Sequence, residues 1–197
     1  MTGSIQNFRT FIERYTPLSD AGWEAIRQDF QLKVFEKDEL IIEQGKICRH
    51  FYFFEDGLIR IFYNIDGKDI TKSFAIPPYC FTSKVSFRNQ VESLESIQAL
   101  EKTVVWEINY QQYRKLEKIE SWNHFMHKLI NEIQEFTENR MLRSKIYTAE
   151  QNYEQLMSQF PAQLMQKIPL KHLASFLGVA PQSLSRIRNK LHKNKRS

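Results

Sequence analysis

The region from Gln31 to Ile108 constrains the fold most, because short segments rich in β-branched and aromatic residues alternate there with turn residues. Runs of about four to eight such residues, bounded by turns, are typical of antiparallel strands in a sandwich or barrel. Within NIDGK, Gly67 indicates a hairpin turn that needs a positive φ. The segments are QLKVF, ELIIEQ, HFYFFED, LIRIFYN, DITKSFAI, SIQAL and TVVWEI. We therefore predict a small antiparallel β-roll, jelly-roll-like in form.

Helical patterns flank this region. Before it, Ser19 is suited to cap a helix in which Trp23, Ile26 and Phe30 recur at spacings of three and four. After it, residues 121–148 contain neither Gly nor Pro. A helix of that length extends about 40 Å at 1.5 Å per residue, which is more than a small β-roll can cover.

Apolar residues in the 121–148 helix recur at alternating spacings of four and three, the pattern of a coiled-coil seam. We therefore predict that this helix pairs with its twin across a two-fold axis; an unusually long core helix is the alternative. A second apolar edge, Phe125 and Ile130, would then face the β-roll. The residues of the predicted dimer seam are Trp122, Met126, Leu129, Ile133 and Phe136.

The stretch from Pro169 to Leu191 predicts two helices joined by a tight turn. Pro169 begins the first helix, where its missing N–H is harmless, and Gly178 follows that helix at a position that favours a left-handed residue. Pro181 begins the second helix. Its inward-facing residues are predicted to be Leu184, Ile187 and Leu191, and its outward-facing residues Gln182, Ser185, Arg186, Asn189 and Lys193.

Positive charge is concentrated at the C-terminal end. Residues 161–197 hold eight Lys and Arg and no acidic residue, whereas the other 160 residues hold 20 basic and 23 acidic ones. A basic end on an acidic body favours a polyanionic partner, nucleic acid before a membrane surface; a solubilising tail is the alternative. Amide and guanidinium groups on a helix face suit the base edges of a major groove, and lysines suit phosphates. We therefore predict that the second helix binds DNA, with an ordinary solvated helix face as the alternative.

A β-roll, a long seam helix and a C-terminal helix-turn-helix together resemble the Crp/Fnr superfamily of bacterial transcription regulators, over nearly the whole chain. The strongest likeness lies in SLSRIR, which is similar to the recognition-helix pattern E-T-[IVL]-S-R. The resemblance implies an α+β fold, with an N-terminal β-roll flanked by helices, a long dimerisation helix and a winged-helix-like helix-turn-helix domain. The expected divisions are 1–120 for the sensor domain, 121–148 for the dimerisation helix and 149–197 for the DNA-binding domain.

By the same match, Gln182, Ser185 and Arg186 are expected to contact base edges. Gln182 stands where the family commonly has Glu, and because Gln pairs with adenine whereas Glu accepts from cytosine, the preferred operator would differ. The residues expected to contact DNA phosphates are Ser183, Lys171, Arg188, Lys190 and Lys193.

Two further departures concern the ends of the recognition helix. Ala180 replaces the Ser or Thr that usually caps this helix, at a cost of about 1 kcal/mol of helix stability. Because six residues follow Leu191, we expect no β-hairpin wing beyond the helix. Lys193, Lys195 and Arg196 in the tail would have to supply the contacts of a wing.

Members of the superfamily that bind cyclic nucleotides use a phosphate-binding cassette with a Gly-Glu pair and an Arg further on. Here Thr82 and Ser83 stand where Gly-Glu is expected, and residues 93–96 contain no Arg. Since Arg would neutralise the cyclic phosphate, we do not expect cAMP to bind in the usual geometry. A pocket for another effector would consist of Ser83, Lys84, Arg88, Thr137 and Asn139, with ordinary surface roles as the alternative.

The sequence lacks the residues that iron–sulfur proteins, cupin-type metal proteins and common enzyme classes need. Cys48 and Cys80 are too few for an iron–sulfur cluster, and His50 is the one histidine between Gln31 and Ile108, too few for a cupin-type metal site. Motifs of hydrolases, zinc proteases and nucleotide-binding enzymes do not occur. We therefore predict no enzyme activity, cofactor or metal. The alternative function is a cupin-like, small-molecule-binding β-roll protein with a basic interaction tail and no specific DNA readout.

The sequence thus predicts a homodimeric transcription regulator that binds a palindromic operator in double-stranded DNA. RNA polymerase and a small-molecule effector are further candidate partners. No apolar run reaches the roughly 18 to 20 residues that span a membrane, and the first residues lack the pattern of a signal peptide. We therefore expect a cytoplasmic protein with no membrane partner.

Overall fold

The strands of the middle region form two four-stranded antiparallel sheets in the computed structural model, which describes residues 4–194 and the side chains of residues 4–191. The strands are β1 (Gln31–Phe35), β2 (Leu40–Ile42), β3 (His50–Asp56), β4 (Ile59–Ile65), β5 (Lys68–Ala75), β6 (Tyr79–Phe81), β7 (Ser96–Ala99) and β8 (Thr103–Asn109). One sheet has the order β1-β8-β3-β6, and the other has the order β2-β7-β4-β5. Together they form the predicted β-roll.

Helices precede, interrupt and follow the β-roll. They are α1 (Gln6–Glu13), α2 (Asp20–Arg27), α3 (Lys84–Asn89), α4 (Tyr110–Leu116), α5 (Glu120–Ile146), α6 (Ala149–Gln159), α7 (Ala162–Lys167), α8 (Leu170–Phe176) and α9 (Pro181–Asn194). The long helix is therefore α5, and the predicted helix-turn-helix is α8 and α9. The division of the chain at residues 120 and 148 stays a prediction.

Two local features follow directly from the residue types. Ser19 caps α2, since its hydroxyl accepts a hydrogen bond from the Gly22 N–H at 3.1 Å. Ile65 pairs with Lys68 across the β4–β5 hairpin, so the turn consists of Asp66 and Gly67. Both turn residues have positive φ, 51° and 77°, as a two-residue turn of type I′ requires.

The main core lies between the β-roll and the helices α1, α2 and α5, and it is rich in aromatic rings. Phe8 of α1 stacks on Phe53 of β3, with ring centroids 4.4 Å apart. Trp122 of α5 meets Phe8 edge-on at 6.3 Å and Phe51 at 5.8 Å. Edge-on and stacked pairs add stability beyond their buried area. This packing holds the first turns of α5 on the β-roll.

The same core corrects the predicted dimer seam. Trp122 and Leu129 are buried inside their own chain, so neither is available to a second copy. Met126 and Ile133 are partly buried against this core as well. The alternating spacing identified an apolar stripe correctly, but spacing does not specify what covers the stripe, and the chain's own aromatic residues cover it here. The alternative of a long core helix is therefore right for the first half of α5.

Of the three other residues predicted to be apolar contacts on α5, one is buried in the core and two are exposed. Phe125, placed on a second edge facing the β-roll, is indeed fully buried there. Ile130, placed on the same edge, is exposed. Phe136 of the predicted seam is also exposed, at 53%. The unpartnered apolar residues of α5 therefore begin at Ile130 and continue to its C-terminal end.

A second apolar core joins the C-terminal helices to the β-roll. The β-roll contributes Leu58, Phe74 and Leu100, and the C-terminal helices contribute Tyr153, Leu156, Met165, Ile168, Leu173, Ala174 and Leu184. The helix α8 packs on β5, which is an edge strand of its sheet. The position of the helix-turn-helix is therefore set by the β-roll of the same chain.

The assignment of Leu129 to the core is testable by mutation. We expect Leu129→Ala to lower the free energy of unfolding by about 2–5 kcal/mol, because it leaves a cavity among aromatic side chains. The matched control is Ile130→Ala, which removes an exposed side chain and is expected to change that energy by about 0.5 kcal/mol or less at a fixed low protein concentration. Urea unfolding of both variants measures the difference, and equal small effects would contradict the assignment.

Candidate functional site

The turn between α8 and α9 has the predicted geometry of a helix-turn-helix. Gly178 follows α8 with a φ of +67°, and its N–H donates to the Ser175 carbonyl at 3.1 Å. The Val179 N–H donates to the Ala174 carbonyl at 3.0 Å. These bonds satisfy the last carbonyls of α8. Ala174 is buried, and its small side chain lets α9 approach closely.

The two faces of α9 differ as the sequence predicted. Leu184 is fully buried, and Ile187 and Leu191 pack partly buried against the same core. On the opposite side, Gln182 and Arg186 are exposed. Ser185 was expected to contact base edges beside them, but it is half-buried and therefore less exposed than either. Asn189 is exposed one turn beyond Arg186, and it continues the polar face toward the C-terminal end of the helix.

The predicted phosphate-contacting residues lie in different environments. Lys171 on α8 is exposed and forms no ion pair with the side chains that the structure describes. Lys190 is exposed but pairs with Glu150 of α6 at 2.8 Å. Ser183 and Arg188 are half-buried.

The three predicted tail contacts lie outside the part of the chain whose side chains the structure describes. The side chain of Lys193 lies outside the described side chains, and Lys195 and Arg196 lie outside the described residues. Their contacts with phosphates stay predictions.

Hydroxyl groups within the cassette segment, residues 82–96, form hydrogen bonds with one another and with its backbone. Ser83, at the position where the family has Glu, is buried and lies 2.9 Å from the hydroxyl of Ser93. Ser93 lies in the stretch where the family has Arg, and its hydroxyl donates to the Glu95 carbonyl at 2.7 Å. Because a hydroxyl carries one proton, Ser83 must donate to Ser93. The pair is neutral, and it lies in the segment in which the sequence resemblance predicts a phosphate-binding cassette.

The other predicted effector residues do not gather around Ser83. Lys84 and Arg88 are exposed on α3, and Asn139 is exposed on α5. The Thr137 hydroxyl donates to the Ile133 carbonyl of its own helix at 2.7 Å. No side-chain hydrogen bond between described atoms joins any of the five residues to another.

A different polar cluster links the cassette segment to α5. Lys72 of β5 pairs with Glu95 at 2.7 Å, and Arg140 of α5 donates to the Lys72 carbonyl at 2.8 Å. Burial lowers the pKa of Arg140. Sequence reasoning missed all three residues, since they come from three distant segments. The nearest signal was Asn139, which is adjacent to Arg140 on the helix.

An ion pair with a buried arginine lies where α8 meets the β-roll. Arg60 of β4 has a side chain only 3% exposed, and its guanidinium holds both carboxylate oxygens of Asp69 at 2.6 and 2.9 Å. Its Nη1 also lies 2.5 Å from Nδ1 of His172 on α8. Because a guanidinium only donates, Nδ1 accepts and the ring proton lies on Nε2. Sequence reasoning missed this contact too, because no local pattern connects residues 60 and 172.

Comparison with known proteins identifies the class of this architecture. Residues 32–119 match the family described as cyclic nucleotide-binding domain. No curated protein sequence matches the chain. None of the helices among the described residues is long and apolar enough to cross a membrane, and no group of three or more potential metal-ligating side chains occurs within the part of the chain that the structure describes.

Solved structures show the same fold over most of the chain. FixK2 from Bradyrhizobium japonicum is 18% identical, with a TM-score of 0.71 over 84% of this chain and 86% of that one. A CooA variant from Carboxydothermus hydrogenoformans is 14% identical, with a TM-score of 0.66 over 85% and 78%. The catabolite activator protein of Thermus thermophilus is 18% identical, with a TM-score of 0.55 over 92% and 87%.

These neighbours are Crp/Fnr transcription regulators. The chain therefore has the fold of these proteins, and the fold that the sequence resemblance implied is confirmed.

The environment of His172 gives a pH-dependent prediction. Burial, and then the charge of Arg60, lower its pKa from 6.5 to about 4, with Lys171 acting in the same direction and Asp69 and Asp38 opposing it. The unfolded chain therefore binds a proton between these pH values that the folded chain excludes, so the contribution of His172 to stability is lost as the pH falls from 6.5 toward 4.

We expect wild type to lose more stability than His172→Gln when urea unfolding is repeated at pH 7.5 and pH 5. Glutamine is the matched replacement, because its amide oxygen can also accept from Arg60 but does not titrate. Equal losses in the two proteins would contradict the buried, neutral histidine.

Proposed function

We propose that the chain is a sequence-specific transcription regulator that binds a palindromic operator as a homodimer. The observation that supports this most is the exposed polar face of α9, with Gln182, Arg186 and Asn189 on successive turns. That face lies on a helix held by a tight turn and a buried apolar side, within a region that contains no acidic residue.

The chemistry of this face suits the major groove. The guanidinium of Arg186 can pair bidentately with guanine, and the amide of Gln182 can pair with adenine. Residues 182 and 189 are about 10 Å apart along the helix at 1.5 Å per residue, so the face extends over about three base pairs. We therefore expect these side chains to select bases, with Ser185 contributing less because it is half-buried.

Contacts with phosphates would come from the cations around this face. Lys171 is the strongest candidate, since it is exposed and unpaired among the described side chains. Lys190 has to leave or share Glu150 before it binds a phosphate, which reduces its net contribution. Phosphate contacts supply affinity that depends on salt and not on sequence.

Dimerisation is proposed to use the exposed half of α5. Five large apolar side chains are exposed there: Ile130, Phe136, Met141, Leu142 and Ile146. Ile130 and Met141 are eleven residues apart, which is about three helical turns, so they share one face. Pairing through this face would place two copies of α9 in successive major grooves, about 34–36 Å apart.

The β-roll is proposed to act without a cyclic nucleotide bound in the usual geometry. The cassette segment presents the neutral Ser83–Ser93 pair in place of Glu and Arg, so a cyclic phosphate would be desolvated there without a cation. An effector of another chemistry, or none, would then bias the arrangement of the dimer.

The test of this function is a selection of bound sequences from a random DNA pool, with purified protein and no added ligand. We expect a palindromic consensus whose half-sites are about one helical turn apart. Binding that is sensitive to salt but blind to sequence, both alone and with added cell metabolites, would contradict the proposal.

Arg186 is the sharpest single test of base readout. We expect Arg186→Ala to weaken binding to the selected operator by about 1–3 kcal/mol and to relax the preference at one base pair of each half-site. The matched control is Arg49→Ala, which removes an exposed arginine of the β-roll and should leave the consensus unchanged. An unaltered consensus for Arg186→Ala would show that α9 is not the reading helix.

Met141, which is 57% exposed on α5, tests the dimer. We expect Met141→Lys to raise the dimer dissociation constant at least about tenfold, because the lysines of both copies would meet at the interface. A tenfold change corresponds to about 1.4 kcal/mol of binding free energy. Ile65→Lys makes the same kind of change at an exposed residue of the β4–β5 hairpin and should have no effect. Sedimentation equilibrium measures both, and equal dissociation constants would contradict pairing through this face.

A further inference from the structure

The contact between α8 and the β-roll is centred on a guanidinium that is held in one orientation. Arg60 donates to both oxygens of Asp69, and its Nη2 also donates to Gln98 at 3.1 Å. Its guanidinium lies 3.9 Å from the ring centroid of Phe62. With these partners occupied, Nη1 points at His172 of α8. Burying a charge is costly unless it is paired and hydrogen-bonded. The buried Nε of Arg60 has no partner among the described atoms, but both terminal nitrogens do, so the orientation that keeps these bonds is preferred.

A second contact fixes the same helix along β5. The Thr71 N–H of this edge strand donates to the Ser175 hydroxyl at 2.9 Å, and that hydroxyl donates to the Asp69 carbonyl at 3.1 Å. Ser175 therefore satisfies backbone groups that an edge strand leaves unpaired. His172 and Ser175 are three residues apart, so they lie on one face of α8. Together the two contacts define one position of α8 on the strand.

The reading helix moves with α8. Leu173 and Ala174 of α8 and Leu184 of α9 are buried in one apolar core, and the turn between the helices is closed by hydrogen bonds. A rotation of α8 against the β-roll would therefore carry Arg186 with it.

From these contacts we propose that Arg60 is a positioning residue for DNA recognition, which fixes the orientation of α9 relative to the β-roll through His172. In a dimer paired through α5, this orientation sets the distance and the rotation between the two reading helices. Arg60 would then determine which half-site spacing the dimer accepts, while α9 determines which bases it accepts. This inference rests on the proposed function.

Spacing is a sensitive readout of orientation. One inserted base pair moves a half-site and rotates it by about 34°, since a turn of DNA contains about 10.5 base pairs. A dimer whose reading helices are rigidly held should discriminate strongly against such an insertion. A dimer whose helix-turn-helix units can rotate should tolerate it.

The experiment measures binding to the selected operator and to versions with one or two base pairs added or removed between the half-sites. We expect Arg60→Met to reduce the discrimination between spacings at least about tenfold relative to wild type, which corresponds to about 1.4 kcal/mol, and to keep the consensus within each half-site. Methionine is chosen because it has a similar length and no charge. Removing one partner of an ion pair is costly where the remaining charge stays buried, and the Asp69 carboxylate is 45% exposed to water.

Hydrogen exchange shows whether the variant acts as expected. The Thr71 amide should exchange faster in Arg60→Met, because its bond to Ser175 depends on the position of α8. Amides of the β4–β7 pairing should stay protected, which shows that the β-roll remains folded. The matched control is Lys72→Met, which removes another cation of the same sheet that pairs with a carboxylate. The described side-chain contacts of Lys72 are with Glu95 and Tyr63, and not with α8.

The outcomes separate the inference from the function on which it rests. If wild type selects no palindrome, either alone or with added cell metabolites, the proposed function fails. If wild type selects one and a folded Arg60→Met keeps the wild-type discrimination between spacings, the positioning role of Arg60 is overturned. If Arg60→Met does not fold, Ser175→Ala decides, because it removes the second contact from the edge of the same interface. Unchanged spacing discrimination in Ser175→Ala would then overturn the inference, and reduced discrimination would support it.

Discussion

The burial of one face of α5 against the β-roll is the interaction on which the rest of the structure depends. Trp122, Phe125 and Leu129 enter an aromatic core shared with α1, α2 and β3, and this fixes the direction in which the helix leaves the β-roll. Its second half then extends with apolar residues exposed, which makes that half available for a second copy. Because an α-helix is stiff over this length, the packing of its first turns places everything that follows.

A second interface returns the chain to the β-roll. After α5, the C-terminal helices fold back so that α8 lies on the edge strand β5, where apolar packing surrounds the buried contact between Arg60 and His172. The same strand carries Lys72, which contacts the cassette segment and α5. The short stretch 69–72 of β5 therefore contacts α8, the cassette segment and the long helix. A displacement of any one of these elements can therefore reach the others through contacts with the same strand.

Much of this architecture could be predicted because it follows from local patterns. The strands β1 and β3 have the predicted bounds, and the turns at Gly67 and Gly178 have the predicted positive φ. The helix α1 also had a signal, since Phe8, Phe11 and Ile12 recur at helical spacing, but the prediction did not use it. For α5, the pattern identified the apolar stripe and not its partner. Periodicity records that a face avoids water, whereas the identity of the covering surface depends on residues far away in the chain.

The sequence by itself determined the class of fold, the helix-turn-helix, the two faces of α9 and the concentration of basic residues at one end. Each of these depends on residues that are close in the chain, where backbone preference and side-chain spacing act directly. Tertiary structure alone decided that the cassette segment is closed by Ser83 and Ser93, that Arg140 reaches Lys72, and that Arg60 meets His172. These contacts join residues between 10 and 112 positions apart, and they form because two sheets and a long helix bring those residues within hydrogen-bonding distance.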